Sequence, residues 1–253
     1  MIKEIKIIDP MTSEEQPNGG EVPIIDPYDG CQLACPYCWQ LFDENWNKDI
    51  LVHINIADLL PEKLSTWNKS ETIYIGSRCD PYMPLEEKYG LTRKCLSVLN
   101  ELCIKTMIVT KADNDLIFRD IDILKNFNAD LTVLMGLSNI NQVGEGILSN
   151  NISTANKLND DGINVWAFIT PVLPYIMDVD EIIESLNSNI PVYLDKLGIE
   201  PGTLRAKKMM KFIENNYPEF IEDYELIINE NDERYFDELI KEYSNDSRVK
   251  ILF

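Results

Sequence analysis

A chain of 253 residues with 43 Asp and Glu against 23 Lys and Arg carries a formal net charge of −20, a field that repels a phosphate backbone and argues against nucleic acid as substrate. With 45% hydrophobic and 26% charged residues it has the composition of a globular chain, and no run reaches the roughly 18 apolar residues of a membrane span. The opening MIKEIKIIDPMTSEEQ has no apolar core of a secretory signal, and of the six cysteines three are grouped and three dispersed, so a cytoplasmic, reducing location is expected rather than a disulfide scaffold.

In chain order, the apolar runs Val22–Ile25, Thr72–Ile75, Thr106–Thr110, Leu131–Leu137, Asn164–Thr170 and Val192–Leu197 have the length and composition of buried parallel strands. Helical periodicity lies between them. Leu91, Cys95, Val98, Leu99 and Leu102 recur at helical spacing as one apolar stripe. The segments 116–127 and 203–213 read as helices in the same way, and Asp161-Gly162 closes the helix before the fifth strand. After Pro218 the pattern changes to a predicted strand at Tyr224–Ile228, a helix over 233–243 and a final strand from Val249 to Phe253. Strand and helix alternation favours a parallel sheet with helices outside, either an open doubly wound sheet or a partial barrel. No repeat or linker divides the chain, so one domain is expected, with residues 1–217 as its body and 218–253 as a small C-terminal extension.

The residues Cys31-Gln-Leu-Ala-Cys35-Pro-Tyr-Cys38 place three thiols within eight positions, just after the first predicted strand. A structural zinc site takes four ligands, and a second CxxC is absent while His53 is the only histidine. Three thiolates instead suit an iron cluster with one iron left open, the vacancy that catalysis needs. A zinc or redox site is the alternative. Cys95, on the apolar stripe, and Cys103, at a helix end, read as small hydrophobes. His53 reads as a satisfied or surface residue, and Arg119, Asp120 and Asp122 read as ion-pairing or capping groups.

The CxxxCxxC motif after the first strand resembles the radical S-adenosylmethionine (SAM) superfamily. Further stretches resemble its spore photoproduct lyase-like branch: Asp26-Pro-Tyr-Asp-Gly-Cys31, Gly76-Ser-Arg-Cys-Asp-Pro-Tyr-Met-Pro-Leu-Glu86, Leu91-Thr-Arg93, Val109-Thr-Lys111, Phe118-Arg-Asp-Ile-Asp122, Leu137-Ser138 and Pro171-Val-Leu-Pro174. The resemblance implies an α/β fold of the partial (β/α)6 TIM-like barrel type. It implies a [4Fe–4S] cluster on Cys31, Cys35 and Cys38, SAM as the second cofactor, and a 5′-deoxyadenosyl radical that abstracts hydrogen from substrate.

It also implies roles for single residues. Tyr37 would lie against adenine, Ser77 near the methionine amino group, and Lys111 and Ser138 near the SAM carboxylate or ribose. Thr170 would belong to the adenine pocket wall, and Cys79 would be a hydrogen-atom donor. A reductant such as flavodoxin or ferredoxin is an implied partner. The charge favours a peptide, protein or small metabolite as substrate; lesion repair in DNA, as the branch name suggests, and a non-catalytic iron–sulfur protein are the alternatives.

Overall fold

The computed structural model describes residues 1–15, 20–137 and 147–253. The chain begins with strands β1 (Ile2–Ile5), β2 (Thr12–Glu15), β3 (Glu21–Ile25), β4 (Tyr28–Asp29) and β5 (Ile50–His53), followed by α1 (Ile56–Lys63), β6 (Ile73–Ile75), α2 (Leu85–Tyr89), α3 (Leu91–Glu101) and β7 (Thr106–Thr110). A 3₁₀ turn, Asp115–Asp120, leads into α4 (Ile121–Lys125), then β8 (Leu131–Gly136), α5 (Ile147–Asp160), β9 (Asn164–Ile169), α6 (Val179–Ser185) and β10 (Val192–Leu194). The chain ends with α7 (Leu204–Asn216), a short 3₁₀ turn, α8 (Ile221–Asn229), α9 (Arg234–Tyr243) and β11 (Val249–Ile251).

Among the described residues one eight-stranded sheet runs in the order β11-β10-β9-β8-β7-β6-β3-β2. All its neighbours are parallel except β2 against β3. The sheet is open, with β2 and β11 as edges. One face of its interior strands is buried in the core, where Ile73, Ile75, Ile108, Val133, Met135, Ala167, Ile169, Val192 and Leu194 sit together, and the other, with Tyr74, Trp166 and Phe168, is half-buried. On α3 the predicted stripe residues Leu91, Cys95 and Leu99 are buried, with Leu96 beside them, while Val98 and Leu102 are half-buried. The shared direction of the parallel strands brings their C-terminal ends to one side, where α/β proteins place their sites.

Several expectations are corrected. Tyr224–Ile228 is helical, within α8, because Tyr224, Ile227 and Ile228 are the buried positions, a spacing of three and four that a five-residue apolar run also offers to a strand. The segment 116–127 is a 3₁₀ turn and a short helix rather than one helix. A second sheet, β1-β5-β4, was not anticipated, since β1 is mostly exposed and shows no buried stripe. Cys103 is exposed with φ 54, a helix-end turn residue rather than a packed hydrophobe. Arg119 and Arg93 do form ion pairs, on Glu86, Asp120 and Asp122.

Candidate active site

The C-terminal strand ends supply the site. The chain leaves β3 at Ile25 and turns at Gly30, whose φ is +98. A Cβ there would stand 2.6 Å from Asp49 O, so the turn has room for no side chain. The chain then enters a loop whose base is closed by Cys31 N–H donating to Trp46 O at 3.2 Å. Within the loop, Cys38 N–H donates to Cys35 O and Leu41 N–H to Cys38 O, each at 3.1 Å. Cys31 and Cys35 are buried and Cys38 is half-buried, and none is in a disulfide.

Burial pushes the Cys35 thiol up to about 11, with Lys111 and the Tyr37 hydroxyl opposing and Cys38 reinforcing. Burial likewise raises Cys31 and Cys38. Backbone N–H groups of Asp80 and Leu33 reach Cys31, and that of Gln40 reaches Cys38. Such N–H···S bonds are the outer-shell contacts that orient thiolate ligands and tune a cluster's potential. No three His, Cys, Asp or Glu side chains gather around one point as a single ion's ligands would among the described residues. Three thiols in one loop are a donor set that would suit a [4Fe–4S] cluster, and two cations, Lys111 and Arg205, lie within electrostatic reach of these thiols.

Lys111 follows β7 and lies level with Gly136, since Thr110 pairs Met135 in the parallel register. Its side chain crosses β8 over Gly136 and donates from Nζ to Thr170 O beyond β9, with Nζ also 5.5 Å from the Tyr37 ring centroid. A Cβ on Gly136 would stand 2.4 Å from Lys111 Cγ, so only glycine lets the lysine pass. Burial holds the ammonium below the ordinary lysine range, against the pull of Cys35, Cys38, Asp80 and Asp195. Asn151 on α5 donates to both Gly136 O (3.0 Å) and Lys111 O (3.2 Å), bracing the two strand ends.

Sequence reasoning missed Asp80 and Arg205. The buried Asp80 carboxylate accepts from Tyr82 N, Thr110 Oγ1, Lys111 N and Ala112 N at 2.9, 2.9, 2.5 and 3.1 Å, tying the loop after β6 to the end of β7. Arg205, in the first turn of α7, lies within electrostatic reach of Cys38, donates from Nη2 to Gly198 O at 2.8 Å, and keeps a buried Nε with no acceptor. The dense motif Gly76–Glu86 was a pointer to Asp80. For Arg205, far along the chain, there was no signal.

The remaining expected residues fall as follows. Ser77 Oγ donates to Glu14 Oε2 at 2.8 Å. Tyr37 is buried, with its hydroxyl on Cys35. Thr170 is half-buried at the mouth and offers its carbonyl to Lys111. Ser138 lies outside the described residues. His53 Nδ1 is 2.9 Å from Asp26 O, a satisfied histidine.

Cys79 is buried beside Cys31 in a small cluster with Tyr28, Val52 and Met83. Its thiol donates to Tyr28 O at 2.9 Å and lies 3.7 Å from Asp26 Oδ1. Burial pushes Asp26 up to about 7 although Arg78 opposes it, and Oδ2 has no partner. The folded chain therefore keeps this proton to higher pH than the unfolded chain, whose Asp titrates near ~3.9. Between about pH 4 and about 7 the native state holds more protons, so this group's contribution to stability falls as pH rises. Asp26→Asn should flatten that decline, measured as urea midpoints across the range; an unchanged slope would assign the decline to other groups.

No protein-family model matches the chain. An uncharacterized protein of Methanocaldococcus jannaschii, MJ0683, is 32% identical over 231 residues, covering 86% of this chain and 84% of that one. The chain belongs to the MJ0683 family. An uncharacterized Mycobacterium tuberculosis protein, Rv2578c, is 25% identical over 199 residues, covering 69% of this chain and 57% of that one.

This member of the MJ0683 family shares the fold of spore photoproduct lyase. A mutant of that lyase with bound AdoMet and dinucleoside spore photoproduct superposes at TM-score 0.59 and 13% identity, over 86% of this chain and 66% of its own. Streptococcus suis SuiB bound to its precursor peptide SuiA superposes at TM-score 0.54 and 17% identity, over 91% of this chain and 48% of SuiB. The chain thus spans just under two thirds of the lyase and about half of SuiB.

Proposed function

We propose that this chain is a radical SAM enzyme acting on a peptide or protein, in a sheet curved as a partial barrel formed by residues 1–217, with residues 218–253 as an extension. The observation that carries the reading is the meeting of three thiols in one loop with Lys111, threaded over Gly136, at the C-terminal ends of the strands. Bound to Cys31, Cys35 and Cys38, a [4Fe–4S] cluster would supply the electron that divides SAM into methionine and a 5′-deoxyadenosyl radical.

The chain's own residues hold and orient. Lys111 and Arg205 present cations beside the thiols, where a ligand carboxylate can pair with them. Tyr37 and the backbone donors of Asp80, Leu33 and Gln40 fix the sulfur atoms. Ser77, Thr170 and Ser138 are proposed to line the SAM site with Tyr37 and Lys111. For Cys79 a hydrogen-atom donor role requires its bond to Tyr28 O to break. A flavodoxin- or ferredoxin-type protein is the proposed reductant.

The peptide reading is supported by the net charge of −20, which disfavours DNA, and by the fold shared with SuiB, which binds a precursor peptide. Anaerobic reconstitution, reduction and chromatographic detection of 5′-deoxyadenosine tests the reading. Absence of that product from a fully loaded protein would leave a non-catalytic iron–sulfur protein.

Gly136→Ala carries the reading to a single methyl group. The added Cβ must displace the Lys111 stem near its root, not at its flexible tip. SAM affinity, read by calorimetry on the reconstituted protein, should fall about tenfold or more, in the range that outer-shell changes produce. Unchanged affinity would take Lys111 out of the SAM site.

A further inference from the structure

Beyond the cluster loop, a cavity of about 360 Å³ opens between the segment following β9 and helix α9. Its lining includes Tyr175, Tyr235, Tyr243, Asp178, Asp180 and Glu242. The Tyr175 and Tyr235 rings meet nearly edge to face, with centroids 5.2 Å apart at 68°, and both border the cavity. Phe220 stacks on Tyr175 at 5.7 Å. The residue before Tyr175 is held in place by the buried Tyr224 hydroxyl, which donates to Pro174 O at 3.1 Å. Tyr175 itself is 48% exposed.

The carboxylates border the same cavity. Asp178, Asp180 and Glu242 are exposed and take part in no ion pair among the described residues. Asp178 caps α6 and Asp180 accepts from the Tyr243 hydroxyl, so both are held at the rim. The nearby cation Arg234 is occupied by Asp232 at 2.6 Å. Burial raises the Tyr235 hydroxyl pKa to about 12, reinforced by the charges of Asp178, Glu242 and Asp180. Aromatic rings beside carboxylates that form no ion pair are what an ammonium or guanidinium needs: ring surface for the cation and negative charge for its protons.

We propose that this cavity grips a lysine or arginine side chain of a basic peptide substrate. The inference rests on the peptide reading above and deepens it. Tyr175 lies five residues beyond Thr170, whose carbonyl holds Lys111, so the cavity stands at most about 17 Å of chain from the mouth. A substrate gripped there by one basic residue presents neighbouring residues to the cluster loop. The occupant is a side chain of a peptide because the net charge of −20 attracts polycations and the cavity admits one extended side chain, not a folded surface.

The test uses the full chain and two probes, Nα-acetyl-lysinamide and its Nε-acetylated counterpart, with tyrosine ring resonances followed by NMR. The free-amine probe should shift the Tyr175 and Tyr235 signals saturably, and the neutral probe should not. Tyr175→Ala and the near-isosteric Glu242→Gln should each weaken binding about three- to fivefold, with unchanged circular dichroism. Equal binding of both probes, shifts that ignore both substitutions, or no shifts overturn the proposal. Neither cluster nor SAM is needed in this titration, so its failure is distinguishable from failure to produce 5′-deoxyadenosine.

Discussion

Cys35→Ala should abolish cluster assembly and 5′-deoxyadenosine formation while leaving the fold intact. Cys35 is the middle thiol of the loop and the one most closely engaged, by Lys111, by Cys38 and by the Tyr37 hydroxyl. In the proposed site its removal leaves two thiols where the cluster would take three, so iron retention should drop to background. Product formation should fall by more than the 10- to 100-fold, roughly, that loss of an outer-shell partner costs.

The structural cost is small by comparison. Cysteine to alanine removes one sulfur from a buried site, of order 1 kcal/mol, and the thiol it removes is neutral there because burial opposes its ionisation. Circular dichroism and the urea midpoint should therefore stay near wild type while visible absorption and product vanish. Cys95→Ala, on the apolar stripe of α3, is the control: similar burial, no loss of iron. Product formation by a Cys35→Ala protein would refute the cluster assignment, and loss of iron from Cys95→Ala would show that unfolding rather than ligation was being read.

The six central strands were legible because each is a short apolar run and all six recur in alternation with helical segments, a pattern that supports each run where its own length does not. The meeting of the three thiols in one loop was legible for a different reason, since Cys31, Cys35 and Cys38 are neighbours in sequence. What stayed hidden depends on register and on long-range packing. That Lys111 passes over Gly136 follows from Thr110 pairing Met135, and no local pattern encodes that pairing. Arg205 comes within reach of Cys38 only because β10 joins β9 in parallel and returns α7 to the same end of the sheet. The run Tyr224–Ile228 failed as a strand because five residues are too few to separate a period of two from one of 3.6. The Tyr175 and Tyr235 pair joins two distant segments, and each tyrosine alone reads as ordinary packing.

Asp80→Ala should be the most destabilising single change at the mouth. Its carboxylate accepts from three backbone N–H groups and the Thr110 hydroxyl, and the residue is buried. Truncation leaves buried donors without an acceptor at about 1–3 kcal/mol each. An opposing term exists: burial raises the Asp80 pKa despite all four bonds, so removing the carboxyl also removes a desolvation cost. The bonds should win, because alanine brings no replacement acceptor and the site is closed by Tyr82 and Ala112, both buried. A net loss of about 3–5 kcal/mol, at the upper end for a point substitution, should appear as a lower urea midpoint. Asp80→Asn keeps one acceptor oxygen and sets an amide N–H₂ against the N–H of Lys111 or Ala112, so it should lose less. In both variants the start of the Lys111 segment is unpinned, and SAM affinity should fall even where the protein remains folded. If Asp80→Asn proves neutral in both stability and affinity, a single retained acceptor suffices, and Asp80 is a buried filler of the turn rather than the group that sets Lys111 in place.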